Sequence, residues 1–302
     1  MRKLFDYLFH SPSKLFMAIL MRIAPIVPDK LYLRWLFRLY MGYKLNLKNP
    51  QTFSEKLQWL KLYDRKPEYT QMVDKYEVKK YVAGIIGEEH IIPTLGVWNS
   101  FDEIDFDALP NQFVLKTTHG GGNTGVVICK DKAIFNRDEA KAKLQRSLKQ
   151  NIYRTLREWP YMNVKSRIIA EQYIVDSKGE LNDFKFSCYD GNVTDVMICM
   201  ERSIGDTKFY FFDKNWQLLR YNKRGLAAPE GFTVPKPENM DLMFRLASEL
   251  SKGIPYLRVD LYNVDGKFTL EKPLSSLKVV WMPIYCLKQT CCSEAELNFS
   301  VE

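Results

Sequence analysis

Phe113-Val114-Leu115-Lys116-Thr117-Thr118-His119-Gly120-Gly121-Gly122-Asn123-Thr124-Gly125-Val126-Val127 is the stretch from which the fold is read. An apolar strand closes on a lysine, four glycines fall within six positions, and a second apolar strand leaves toward an Asp131-Lys132 turn. Glycines let backbone N–H groups approach a polyanion closely, and a lysine on the preceding strand adds a point charge to the same phosphates. The pattern is neither a G-x-x-x-x-G-K-[ST] loop nor a dinucleotide-binding fingerprint, because a strand and not a helix follows the glycines. A mobile hairpin has the same composition; Lys116 and His119 ahead of the glycines favour phosphate binding.

Outward from this hairpin the chain reads as strands mixed with a few helices. Ile91–Trp98 reads as strand and loop, and strands are predicted at Phe113–Lys116, Gly125–Cys129, Arg167–Tyr173, Asp183–Tyr189, Val193–Met200 and Tyr256–Tyr262, with helices over Thr70–Gly84, Lys132–Gln150 and Asn239–Lys252. Thr52 or Ser54 caps a further helix. Strands and helices that do not alternate strictly point to an α+β fold in two lobes. In Arg167–Ile174 an apolar strand becomes polar at Glu171-Gln172, where backbone and carboxylate suit an adenine amino group and a ribose hydroxyl, or simply meet solvent. Asp183, Lys185 and Ser187 share one face of an alternating strand that turns at Asp190-Gly191-Asn192. Arg258, Asp260 and Tyr262 share a face of another; a carboxylate among apolar neighbours needs a cation, either Arg258 or a bound Mg²⁺.

The 302 residues suit two or three packed units, and 46% hydrophobic with 26% charged residues excludes disordered, collagen-like and coiled-coil classes. Residues 1–45 carry eight basic and two acidic side chains, so six of the eight net positive charges lie there. A nucleic-acid protein spreads its basic footprint over the binding domain, so nucleic acid is not an expected partner. Leu4–Phe9, Lys14–Arg22 and Asp29–Leu45 read as short helices whose apolar faces are aromatic (Phe5, Phe9, Phe16, Tyr32, Trp35, Phe37, Tyr40) and whose polar faces are basic. Such helices either lie on an anionic membrane surface or pack on the main body. No apolar run reaches the roughly 20 residues of a membrane span, and no signal-peptide cleavage site follows. Six dispersed cysteines without a C-x-x-C pair read as free thiols in a reducing cytosol, and three histidines exclude a His-rich zinc site.

In their order, these pieces resemble the ATP-grasp superfamily, specifically its TupA-like branch, associated with bacterial cell-surface polysaccharide and teichuronopeptide synthesis. The resemblance runs from about Asn49 to Lys267. It rests on Thr52-Phe53-Ser54-Glu55-Lys56-Leu57-Gln58-Trp59-Leu60-Lys61, the Asp74-Lys75 helix, Ile92-Pro93-Thr94-Leu95-Gly96-Val97, Phe113–Lys116 with His119–Gly122, Ala170–Ile174 and Arg258-Val259-Asp260. It implies that two α+β lobes clasp ATP. Lys116 and Lys75 then hold phosphate oxygens, with His119 beside them, and Gly120, Gly121 and Gly122 form the lid. Glu171 with the Gln172–Ile174 backbone reads adenine and ribose, Lys185 faces the nucleotide, and Asp260 binds Mg²⁺. Arg258 and Arg202 are assigned to grip an anionic acceptor or an acyl phosphate. The implied activity is ATP- and Mg²⁺-dependent ligation through an acyl phosphate, on a polysaccharide or amino-acid-type acceptor, in the cytoplasm and peripheral to the inner face of the membrane. The expected organisation is a basic helical segment (1–48), a helical and mixed subdomain (49–110), an N-lobe with the glycine loop (111–175), a C-lobe (176–270) and an atypical tail (271–302).

The tail departs from the resemblance, which implies a second metal carboxylate on a strand after Asp260. Glu271 stands one position early for that role, and one position on a strand reverses the face. Supposing a codon run ACT TTT GGA GAA ACC, loss of one thymine would yield ACT TTG GAG AAA, the Thr-Leu-Glu-Lys of 269–272, so residues 271–302 are expected to be out of frame and ATP turnover by this chain weak or absent. Two rivals remain. A glycosyltransferase needs a D-x-D site, which only Asp105-Phe106-Asp107 offers, in an acidic run that also reads as a solvated turn. The other rival is a membrane-associated adaptor that binds nucleotide without turnover.

Overall fold

The computed structural model describes residues 12–120, 124–175, 177, 182–200, 208–264 and 266–270. The expected Leu4–Phe9 helix, Gly121, Gly122, Arg202, Glu271 and the 271–302 tail lie outside the described residues. Helices α1 (Pro12–Ile23), α2 (Asp29–Met41), α3 (Phe53–Tyr63), α4 (Glu68–Val73) and α5 (Glu77–Ile86) lead into strands β1 (Thr94–Trp98), β2 (Phe113–Thr117) and β3 (Val126–Cys129). Helices α6 (Arg137–Leu148) and α7 (Ile152–Leu156) precede β4 (Ile168–Gln172). Strands β5 (Asp183–Tyr189), β6 (Asn192–Met200), β7 (Lys208–Phe212) and β8 (Leu218–Leu219), helices α8 (Lys223–Ala227) and α9 (Met240–Ser251), and strands β9 (Leu257–Val264) and β10 (Lys267–Leu270) follow.

Among the described residues the strands form two antiparallel sheets, ordered β1-β4-β2-β3 and β10-β9-β5-β6-β7-β8. This is the α+β, two-lobed arrangement expected. In the first sheet Phe113, Leu115, Ile168 and Ala170 bury one face against Ala140 and Leu144 of α6 and against Phe101, Ile104 and Phe106. In the second, Phe184, Phe186, Val196, Ile198, Val259 and Leu261 pack on Met240, Met243, Phe244 and Ala247 of α9 and on Val78 and Val82 of α5. Period-2 alternation puts Lys116 and Glu171 on the opposite face of the first sheet, and Asp183, Lys185, Arg258 and Asp260 on that of the second.

Several helix boundaries differ from the sequence reading, each for a local reason. The helix expected over Thr70–Gly84 is broken at Asp74, which is extended (φ −81°, ψ 122°) while its Oδ1 accepts from the N–H groups of Tyr76 (2.8 Å) and Glu77 (3.2 Å) and so starts α5 afresh. The helix expected from Lys132 begins at Arg137, where Asn136 Oδ1 accepts from Glu139 N–H (3.0 Å). Thr52, not Ser54, caps α3, in a reciprocal box with Glu55. Strand β7, Lys-Phe-Tyr-Phe-Phe, was not predicted, although an aromatic run of this kind is a strand signal.

The basic N-terminal segment packs on the body. Tyr32, Leu33, Leu36, Phe37 and Met41 of α2 are buried, so the aromatic set divides: Tyr32 and Phe37 join the core, while Trp35 and Tyr40 face outward. Arg157, 2% exposed, ties the segment down. In the left-handed conformation (φ 54°), it donates to Ala24 O and Val27 O (3.0 Å), pairs with Asp29 (3.0 Å) and lies over the Tyr32 ring (4.2 Å). Tyr32 Oη adds a hydrogen bond to Thr155 O (2.9 Å). No helix of the described residues is long and apolar enough to cross a membrane.

Candidate active site

The pairing of β2 with β4 sets Lys116 opposite Ile169 and Val114 opposite Glu171, so Lys116 and Glu171 are diagonal neighbours on the face turned away from α6. Lys116 Nζ lies 2.5 Å from Glu171 Oε2, and Lys79 Nζ, reaching across from α5, lies 2.6 Å from Oε1. Lys79 also donates to Ile92 O (2.6 Å). Glu171 is only 4% exposed. Burial alone would raise its pKa, but the two ammonium groups outweigh burial and hold the carboxyl below its ordinary value. Burial lowers the Lys79 pKa, against the pull of Glu171 and with the push of Lys116. Two cations thus converge on one buried acid beside the glycine hairpin.

The hairpin is fastened at its base. Lys75 donates to Thr117 O (2.8 Å) and to Gly120 O, and its own N–H bonds Thr118 O (3.0 Å). A Cβ on Gly120 would collide with Thr117 Oγ1, and one on Gly125 with both Thr117 Oγ1 and Ser147 Oγ, hydroxyls that bond each other at 2.8 Å. His119 turns toward the C-terminal end of α6, where Nε2 donates to Ser147 O (3.2 Å) and Gln150 O (3.0 Å). That leaves Nδ1 as the unprotonated nitrogen, without a hydrogen-bond partner. Burial, reinforced by Lys75, lowers the His119 pKa and keeps the ring neutral. Arg167 completes the frame, pairing with Asp74 (3.0 Å) and Glu77 (2.8 Å) over the Tyr76 ring.

Of the residues expected to touch nucleotide, Lys116 and Glu171 therefore meet directly. Lys75 and His119 hold the N-terminal side of the glycine turn through backbone carbonyls. Gln172 N–H is taken by Pro93 O (3.1 Å), and Ile174 follows the strand end half-buried. Lys79 was not anticipated; its signal was its position four residues after Lys75 on what became a new helix.

The second cluster lies on the polar face of the six-stranded sheet. Register places Lys185 opposite Asp260 and Met197, and Ser187 opposite Arg258 and Asp195, so β9, β5 and β6 contribute adjacent rows. Arg258 grips Asp260 bidentately, Nε to Oδ1 at 2.6 Å and Nη2 to Oδ2 at 2.7 Å. Lys185 pairs with Asp183 and stands 3.9 Å from Asp260. Asp195, which the sequence reading did not single out, accepts from Ser187 Oγ (3.0 Å) and Thr194 Oγ1 (2.8 Å). Of the two cations considered for Asp260, Arg258 is thus in place. Asp260 and Asp183 are oxygen donors suited to a hard divalent ion, which would share Asp260 with Arg258. Among the described residues, no group of three or more His, Cys, Asp and Glu side chains is placed to hold a metal.

The Asp105-Phe106-Asp107 run is a turn: Phe106 enters the core and Asp105 Oδ1 accepts from Asp107 N–H (3.0 Å). Cys129, Cys188 and Cys199 are buried, and burial raises the Cys188 pKa far above its usual range.

Two antiparallel lobes, a glycine hairpin behind a strand lysine, and a strand-end glutamate define an ATP-grasp fold. A sequence family described as TupA-like ATPgrasp matches residues 55–270, and the chain belongs to that family. No curated protein matches it in sequence. Among solved structures it is similar to D-alanine–D-alanine ligase from Bacillus anthracis complexed with ATP, at 15% identity over 76% of this chain and a TM-score of 0.42. D-alanine–D-alanine ligase from Helicobacter pylori gives 16% identity over 80% of this chain and 67% of its own, also at 0.42. The purK N5-carboxyaminoimidazole ribonucleotide synthetase gives 15% over 74% of this chain and 51% of its own, at 0.43. The chain spans 62% of the length of the Bacillus anthracis ligase.

Proposed function

We propose that the chain is an ATP- and Mg²⁺-dependent ligase or transferase of the acyl-phosphate type, acting on a polysaccharide or amino-acid-type acceptor in bacterial cell-surface polysaccharide synthesis. One observation carries the nucleotide part: Lys116 and Lys79 converge at 2.5 and 2.6 Å on Glu171 beside the fastened glycine hairpin. A triphosphate seeks this combination of two ammonium groups and a close-approach backbone turn. Lys75 and His119 act on the turn itself by fixing its N-terminal side. In the reaction a carboxylate oxygen attacks the γ-phosphorus, ADP leaves, and an amine then displaces phosphate from the acyl carbon. Mg²⁺, held through Asp260 with Asp183 nearby, would neutralise phosphate charge, while Arg258 and Lys185 offer cations to the acyl phosphate or an anionic acceptor. The cell-surface setting rests on the resemblance of the sequence motifs to the TupA-like branch. The same reading sets the enzyme on the cytoplasmic side of an anionic membrane, approached through residues 1–45.

The adaptor reading retains one observation in its favour, the bidentate Arg258–Asp260 pair, which satisfies the carboxylate without a metal. Two measurements separate the readings. Calorimetric titration is expected to show ATP-Mg²⁺ binding and no UDP-sugar binding; the reverse would replace the ligase with a glycosyltransferase. Hydroxylamine trapping of acyl phosphate from a pool of amino acids and uronic acids yields hydroxamate from a ligase, at a low rate given the atypical tail, and none from an adaptor.

A further inference from the structure

Helix α2 resolves what its sequence left open, because it packs on the body and still presents a basic, apolar outer face. Lys30, Arg34 and Arg38, spaced four apart, form one exposed stripe opposite the buried Tyr32 and Leu36. Leu31 and Trp35 lie in the adjoining row, 39% and 36% exposed. The α1 helix and its exit turn add exposed Ile19, Met21 and Ile26. None of the three stripe cations is ion-paired among the described residues. The one acid of α2, Asp29, is neutralised by Arg65 (2.7 Å) and Arg157 (3.0 Å), so the positive charge of the helix faces outward uncompensated.

We propose that the outer face of α2 (Lys30, Leu31, Arg34, Trp35 and Arg38) is a docking surface for an anionic phospholipid bilayer; this deepens the membrane-side reading above and rests on it for its setting. A solvated helix face has no use for exposed leucine and tryptophan between arginines. A soluble polyanion would meet the cations but leave the apolar side chains in water. A bilayer with anionic headgroups satisfies both, taking the cations at the phosphates and Leu31 and Trp35 at the acyl boundary. The Arg157 contacts and the Tyr32–Thr155 hydrogen bond make α2 part of the body, so docking carries the nucleotide site to the surface with it.

The test is flotation of the full chain with phosphatidylcholine vesicles, with and without phosphatidylglycerol. The chain is expected to float only with phosphatidylglycerol and to release as salt rises. At about fivefold for each charge lost, Arg34→Ala with Arg38→Ala lowers partitioning roughly 25-fold while leaving thermal melting unchanged. Trp35→Ser weakens binding that survives moderate salt. Flotation indifferent to lipid charge or to the arginine pair overturns the proposal, as does no flotation at all. Retention on dextran sulfate without flotation assigns the face to a soluble polyanion, and a dimer dissolved by the double variant assigns it to a second copy; either result also overturns it. ATP binding measured on the same preparation keeps the two readings apart: intact binding with failed flotation removes the docking surface alone.

Discussion

Replacing Glu171 by glutamine removes one charge and almost no volume from the point where Lys116 and Lys79 converge. Both ammonium groups then face an amide at distances set for a carboxylate, 2.5 and 2.6 Å. Removing one partner of a buried ion pair costs roughly 3–5 kcal/mol. The two lysine side chains keep 13% exposure and have some solvent to turn toward, so the lower figure, about 3 kcal/mol, applies. At about 2.1 cal/mol/K per residue, a chain of 302 residues unfolds with an entropy worth about 0.6 kcal/mol per degree, and the melting temperature falls by about 5 °C. A triphosphate returns negative charge to the same ammonium groups, so ATP-Mg²⁺ raises the melting temperature of Glu171→Gln more than that of the parent. The pH dependence agrees in sign. The carboxyl is held below its usual value in the fold, so its stabilisation is complete above the unfolded value near 4.5 and is lost as pH falls below it; the variant lacks that acid limb. Scanning calorimetry with and without nucleotide reads all three effects. A variant that melts with the parent in both conditions refutes the reasoning.

Arg157→Ala strips α1 and α2 of their buried anchor, at about 3–5 kcal/mol; the urea midpoint falls and limited proteolysis cuts first between residues 12 and 45, whereas an unchanged midpoint contradicts the anchoring role. Lys61, fully buried and donating to Leu156 O (2.8 Å), has its pKa lowered to about 8 by burial. Its protonation favours the unfolded chain, so stability rises between pH 8 and about 10, by on the order of 2–3 kcal/mol. Denaturant titrations at each pH are expected to show that rise in the parent and a change smaller by that amount over the same window in Lys61→Met, since Lys79 and Cys188 contribute to both profiles alike.

What the sequence made legible followed from periodicity. Strand alternation placed Asp183 with Lys185, and Arg258 with Asp260, on shared faces, and the two-lobed α+β arrangement came from the same strand pattern; Lys116 and Glu171 were assigned to the nucleotide by the family resemblance, and only the register of β2 with β4 sets them side by side. Helix phase was harder. A continuous helix over Thr70–Gly84 would set Lys75 and Lys79 on one face, but the extended Asp74 leaves Lys75 ahead of α5, directed at the base of the glycine turn, and hands the Glu171 contact to Lys79. Cross-strand neighbours such as Asp195 depend on a register that shifts between Ser187 and Cys188, which one strand's pattern does not reveal. Arg157 was invisible for a different reason: its contacts reach residues more than 120 positions away, and its left-handed backbone carries no local signal in the sequence.

The account turns on Lys116 as the strand cation for a nucleotide's phosphates, and calorimetric titration of ATP-Mg²⁺ into the parent chain and into Lys116→Met tests it most directly. A charged hydrogen bond of roughly 1.5–3 kcal/mol predicts that the variant, still folded by circular dichroism, binds about ten- to a hundredfold more weakly. Equal affinity in the two proteins would contradict it.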